Sequence, residues 1–349
     1  MEKTVSSKKI WLVVISLVIA LLAVSVAGMT ISRVSEKSNA ANSDWKTICP
    51  PREVTVFAEQ GDIMWAGGMD GVYKLDRVNK KYTEELGSFS HVKGLLVDDD
   101  GCLWIGHEKG ITILKGASSK SLTIANGLPD NHVTSLFQDR QGRVWAGTWK
   151  GAAVFDGFSW EVINSGNGLL DDMVNVVSGD TYGGIWLGSY VAPRGGLTYL
   201  QEKNRQYFST DNGIPHNNIN SIIQANDGTI WIGTGYLDRG GAVNLKADSD
   251  QTWRVNEIID EDRGLPGAKV RSIYQDKSGV VWFGMEYDGL ACRKDGRWQV
   301  LTKEDGLSGN EIKTMLEDSS GNFWLGTENG VTVIPGTRIT LSKEGGGQK

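Results

Sequence analysis

Apolar and polar positions alternate in short bursts along most of this chain, and the bursts come in pairs joined by tight turns. The stretch from Asn126 to Gly151 shows the unit. It opens with Asn126-Gly127-Leu128-Pro129, continues through Val133, Leu136 and Phe137, turns at Asp139-Arg140-Gln141-Gly142, and returns as Val144-Trp145-Ala146-Gly147. Val133, Leu136 and Phe137 suit a buried strand. An Asp followed three residues later by Gly predicts a hairpin turn whose last position needs positive φ, which Gly adopts cheaply. Gly147 is expected to end the returning strand where backbones come close.

The returning strand recurs. Its Trp falls at Trp65, Trp104, Trp145, Trp186, Trp231, Trp282 and Trp324, each followed two residues later by Gly. The Trp-to-Trp spacings are 39, 41, 41, 45, 51 and 42 residues. A period near 40 built from short strands and glycine turns predicts the blades of a β-propeller, and seven repeats predict seven blades.

Four links carry a second motif: Asn126-Gly127-Leu128-Pro129, Asn212-Gly213-Ile214-Pro215, Arg263-Gly264-Leu265-Pro266 and Asp305-Gly306-Leu307-Ser308. Followed by the Asp-turn and the Trp-apolar-Gly strand, these resemble the two-component regulator propellers, ligand-binding sensor domains of bacterial hybrid histidine kinases. The resemblance covers roughly residues 45–338. It implies an all-β fold and a sensor role, although propellers as a class host many activities. The usual kinase or linking β-sandwich has no counterpart between Thr340 and Lys349, so a signal is expected to pass to a separate partner such as a sensor kinase.

The two ends of the chain refine this reading. Lys3, Lys8 and Lys9 precede Ile10 to Met29, an apolar run broken only by Ser16, Ser25 and Gly28. Residues 1–31 therefore read as a signal anchor or a cleaved signal, with small residues at Ser25-Val26-Ala27. Either way the propeller is exported, periplasmic or extracellular, with the membrane as a partner if the segment stays. Residues 32–44 read as a flexible tether, 45–338 as the propeller and 339–349 as a disordered tail. Trp45-Lys46-Thr47-Ile48 matches the outer-strand pattern of Trp160, Trp253 and Trp298, and the seventh repeat lacks such a strand. The N-terminal segment is thus expected to supply the outer strand of the last blade and close the ring. Trp side chains on the second and outer strands are expected to form core between blades.

Composition narrows the function. A formal net charge of −6 excludes a sequence-independent grip on nucleic acid, which needs a basic face. Cys49, Cys102 and Cys292 fall in different repeats and read as packed or free thiols, not a disulfide framework. The four histidines, His91, His107, His132 and His216, show no short metal-ligand spacing. Neither a metal, a cofactor nor a catalytic set is expected. Asp98-Asp99-Asp100 reads as a turn with extra charge.

The loops joining second and third strands (b–c) vary most. From the Trp to the Gly opening strand c they run six residues in repeats 1, 2, 3 and 7, seven in repeat 6 and ten in repeats 4 and 5. They carry Trp149, Tyr190 with Arg194, Tyr236 with Asp238 and Arg239, and Glu286-Tyr287-Asp288. Insertions in repeat proteins collect on the binding face. Flat rings with Arg and carboxylates between them suit a polar ligand with apolar faces, such as an oligosaccharide. The alternatives are a protein–protein scaffold and, further off, a propeller lyase or hydrolase.

Overall fold

The computed structural model describes residues 44–336, apart from 88, 191–193, 203 and 295. The expected anchor, most of the tether and the expected tail lie outside the described residues.

Those residues build seven four-stranded antiparallel sheets, each made of strands a to d from inside to outside. The innermost strands are Val56–Gln60, Gly94–Val97, Val133–Gln138, Val174–Gly179, Ile219–Gln224, Val270–Gln275 and Ile312–Glu317. Each touches the innermost strands of the sheets before and after it, and Val56–Gln60 touches Ile312–Glu317, so the sheets follow one another around a ring. The fold is a seven-bladed β-propeller. The strand before the first blade, Lys46–Ile48, pairs with the last strand of the seventh, Gly330–Ile334, with Thr47 opposite Thr332. Just ahead of it, Trp45 covers Gly306 as Trp160 covers Gly127 and Trp298 covers Gly264.

Two repeated contacts explain the period. The first is the Trp-x-Gly glycine, which is a seat for the next blade. A Cβ on Gly67, Gly106 or Gly188 would meet Val92, Val133 or Ile219 at 2.6, 2.6 and 2.5 Å. Gly326 of the last blade seats Val54 of the first at 2.8 Å by the same geometry. The second is the turn Asp, which does more than bend the chain. In blade 7, Asp318 accepts backbone N–H bonds from Ser320 and Asn322 on Oδ1, while Oδ2 accepts the Trp324 indole N–H at 2.9 Å. Asp98, Asp139, Asp180 and Asp276 hold Trp104, Trp145, Trp186 and Trp282 in the same way. In blade 1 the acceptor is Gln60, on Trp65. Blade 5 carries Ala225 at that place, and its Trp231 stays half-buried.

The expectation that all these tryptophans are core needs correction. Trp186, Trp282 and Trp324 are fully buried, yet Trp45, Trp160 and Trp298 on or beside outer strands are only partly so; the outer-strand Trp253 is buried, packed edge-on against Trp186 and Tyr199. Leu136 and Phe137 are also only half-buried. The Asn-Gly-Leu-Pro links form short 3-10 turns that end on left-handed glycines, with Gly127 at φ 103° and Gly306 at φ 111°. Behind them Leu128, Ile214, Leu265 and Leu307 are buried. The three cysteines are free thiols.

Gly188→Ala should lower the thermal midpoint, because its methyl meets Ile219 on the neighbouring blade; a cost of about 1–3 kcal/mol is expected from denaturant unfolding. Asp318 gives a pH prediction. Burial alone would raise its carboxyl, but the bonds from Asn322 and Trp324 and the charge of Arg77 outweigh this and hold it below the usual 3.8. Asp139 is depressed likewise, its burial outweighed by bonds from Trp145 and Arg143. A carboxyl with a depressed folded pKa adds stability above its unfolded value and loses it as pH falls through the folded value. Acid titration of the thermal midpoint should therefore fall below about pH 4, and Asp318→Asn should shrink that limb.

Candidate ligand-binding mouth

The links into each blade and the b–c turns meet on one face of the ring, around the mouth of the central channel. In blades 3 to 7 the start of strand a is bulged, the ladder skipping Thr134, Asn175, Asn220, Arg271 and Lys313. A bulge re-aims the side chain of the skipped residue. Thr55 and Lys93 hold the same place in blades 1 and 2, just after the buried Val54 and Val92.

The short residues of this column stitch the ring. Thr55 Oγ1 donates to the carbonyl of Val92 on the next blade, Thr134 Oγ1 to Val174 at 2.7 Å, Asn175 Nδ2 to Ile219 at 2.7 Å and Asn220 Nδ2 to Val270 at 3.0 Å. The three cations do otherwise. Arg271 reaches Glu311 at 2.9 Å and Glu286 at 3.8 Å, and Lys313 bridges Glu311 at 2.8 Å and Glu53 at 3.0 Å. Lys269, two residues before Arg271 and buried, pairs with Glu286. Among the described residues, no carboxylate lies within ion-pair reach of the Lys93 ammonium; instead it sits 5.8 Å from the centre of the Tyr190 ring. Burial, then the nearby Arg271 and Lys313, push its pKa below the usual 10.5.

The residues singled out from sequence distribute unevenly over this mouth. Tyr190 lies on Lys93, and Tyr236 lies 5.8 Å from Lys269, so both rings are tied to the cationic column. Glu286 sits within it, its pKa lowered because the bonds and charges of Lys269 and Arg271 overcome its burial. Trp149 stacks on His132 with ring centres 3.7 Å apart and 18° between planes. Arg239 lies near His216, where burial first and then the charges of Arg239 and Lys269 lower the imidazole pKa. Arg194 and Asp238 are exposed, as is Tyr287, whose phenol the adjacent Glu286 pushes up. Asp288 turns away: its carboxylate lies against Gly267 of its own blade's link.

One loop reading is corrected. The insertion of blade 5 is no loop but a longer hairpin, since strands Ile230–Tyr236 and Arg239–Ala247 pair out to Tyr236 opposite Arg239. Leu237, at φ 53°, and Asp238 make the two-residue turn, so the register holds Tyr236 and Arg239 side by side. His107 is the end of strand Leu103–His107, buried and bonded to Thr112 at 3.1 Å, so it is not part of the b–c loop. The histidines are also less scattered than their spacing implies, for His91 Nδ1 lies 3.1 Å from Glu108, whose charge also acts on His132.

Sequence reasoning missed Lys93, Lys269, Arg271 and Lys313. The signal was present: aligning the repeats on the buried aliphatic residue places three cations in a column of otherwise short polar residues. Among the described residues, no group of three His, Cys, Asp or Glu can hold a metal. A cavity of about 150 Å³ lies away from the mouth, lined by Tyr182, Tyr199, Ala247, Asp248, Gln251 and Trp253.

Fold and repeats thus define a propeller with seven blades and a charged mouth. Four segments, residues 127–150, 213–236, 264–287 and 306–329, match the two component regulator propeller family, and the chain carries these repeats in blades 3, 5, 6 and 7. No curated protein matches the chain in sequence. Among solved structures it is similar to the extracellular domain of a protein assigned to a hybrid two component system of B. thetaiotaomicron, at 20% identity and a TM-score of 0.71, over 85% of this chain and 41% of that one. PorZ, a surface component of the type-IX secretion system of Porphyromonas gingivalis, matches at 14% and 0.59, over 83% and 48%. Virginiamycin B lyase of Staphylococcus aureus matches at 12% and 0.61, over 83% and 97%. The chain spans less than half the length of the first two, and at these identities the likeness is one of fold.

His132 titrates below the usual 6.5 because burial comes first, with Lys93 adding to it. Removing the stacked ring in Trp149→Ala should expose the imidazole and move its pKa upward, read by NMR titration of the His132 ring proton.

Proposed function

We propose that this chain is an exported binding module of the sensor-propeller kind, tethered by its N-terminal segment, that takes a polar ligand at the b–c mouth. The observation that carries the reading is the convergence of Tyr190 and Tyr236 with Lys93, Lys269, Arg271 and Glu286 around the channel opening. Rings that cover cations, next to side chains rich in donors, suit a sugar-like molecule: C–H faces stack on the aromatic planes while hydroxyls bond to charged groups. The two-component repeats and the likeness to an extracellular domain support a sensor role outside the cytoplasm. The exposed Trp149, Arg194, Asp238, Arg239 and Tyr287 would form the outer rim of this surface and meet the distal parts of a longer ligand, while Asp288 is held against its own blade's link.

A panel of oligosaccharides and small metabolites, screened by thermal shift on the full chain, tests this. At least one should raise the midpoint, and the double variant Tyr190→Ala with Tyr236→Ala should abolish the rise while folding normally. A ligand that stabilises both forms equally places binding elsewhere on the ring.

A further inference from the structure

The column of residues that follows the buried aliphatic in strand a holds one anomaly beyond the binding face itself. In blades 1, 3, 4 and 5 a Thr or Asn there bonds the carbonyl of the next blade. Blade 6, with Arg271 in the column, keeps the stitch by shifting it one residue, with Ser272 Oγ donating to Ile312 O at 2.8 Å. Blade 2 has Gly94 after Lys93, which has no side chain to stitch with. Lys93 therefore occupies a stitching position without stitching. It also lacks the carboxylate that each of Lys269, Arg271 and Lys313 has, among the described residues. A half-buried ammonium beside two further cations is costly to keep unless something gains from its charge.

We infer that Lys93, with Arg271 and Lys313 across the channel and Tyr190 beside it, is the anion subsite of the mouth and receives the carboxylate of an acidic ligand such as a uronic-acid sugar. This rests on the binding-face reading above and names the charge of what binds there. The single unpaired ammonium suits a single negative charge. Of the four cations, Lys269, Arg271 and Lys313 are paired to Glu286, Glu311 and Glu53, and Lys93 is the one with no carboxylate within ion-pair reach among the described residues. One carboxylate neutralises it, whereas a phosphate dianion would leave the site negative. The guanidinium already gives Nη2 to Glu311, so Lys93, whose three donors are not engaged by a carboxylate, is the principal contact. Lowering of the Lys93 pKa by burial and by Arg271 and Lys313 agrees with a site that stabilises when an anion arrives.

The test uses Lys93→Thr, which installs the residue found in blades 1 and 3, with Lys93→Arg as the charge-keeping control. NMR of the full chain is followed during titration with glucuronate, with glucose as the neutral match and sodium chloride at equal ionic strength. Saturable shifts with glucuronate, at least tenfold weaker in Lys93→Thr and restored in Lys93→Arg, are expected, while the midpoint of Lys93→Thr stays at or above that of the parent. Equal binding of glucuronate to parent and Lys93→Thr, or shifts no larger than those with salt, overturns the inference. If a neutral oligosaccharide binds through Tyr190 and Tyr236 and is indifferent to Lys93→Thr, the binding face stands and the anion subsite falls. Loss of every ligand response on that face in the parent removes both.

Discussion

The ring depends on one contact repeated around it: an aliphatic side chain from each blade seated over the Trp-x-Gly glycine of the blade before. The contact is apolar and non-directional, so it does not by itself fix an angle. Glycine fixes it, by letting the two backbones approach to a distance that any Cβ would forbid. Each seated Val or Ile is worth about 1.5–3 kcal/mol of burial. Because Val54 sits on Gly326 as Val92 sits on Gly67, the last blade meets the first by the same geometry as any other pair. No blade interface is special, and the pairing of Lys46–Ile48 with Gly330–Ile334 adds hydrogen bonds at the rim to a ring whose inner contacts already close.

The tryptophan next to that glycine is held from the other side. An Asp carboxylate six residues earlier gives one oxygen to the turn's backbone and the other to the indole, so the turn and the blade core share one side chain. This explains a feature that propensity does not: the Asp must be ionised while largely buried. Burial disfavours the charge, and three or more donated hydrogen bonds restore it. Where the Asp is missing, at Ala225, the blade retains its strands and its Trp but not the same burial.

Much of this was legible in the chain. The period, the blade number and the turn positions all follow from spacing, because each depends on residues local to one repeat, and the outer strand at Lys46–Ile48 follows from its likeness to the outer strands of other repeats. What was not legible depends on neighbours in space. The pairing of Trp149 with His132 joins residues seventeen apart in sequence but on adjoining turns. The longer stretch of blade 5, ten residues from Trp231 to Gly241, looked like a loop because Gly235, Gly240 and Gly241 break its polarity pattern, yet glycine with positive φ is also what a tightly twisted hairpin end requires. The cationic column escaped because single cations in separate repeats carry no local signal. Only the ring brings Lys93, Arg271 and Lys313 to one channel from blades 2, 6 and 7.

That column also shows how a fold with interchangeable blades acquires individuality. Most positions in a propeller repeat are fixed by the seat, the indole or the turn. The residue after the seated aliphatic is freer, since its stitch to the next carbonyl contributes only about 1 kcal/mol net. Placing a cation at that position on three blades thus costs the ring little, blade 6 keeping its stitch through Ser272, while it puts several charges of one sign on a small opening lined by rings. Carboxylates on the same and neighbouring blades, Glu311, Glu286 and Glu53, then offset most of that charge. The offset is incomplete at Lys93. A surface of this kind can vary one blade at a time, because the residues that set the charge of the mouth are not the seated aliphatics, glycines and tryptophans that hold the ring together.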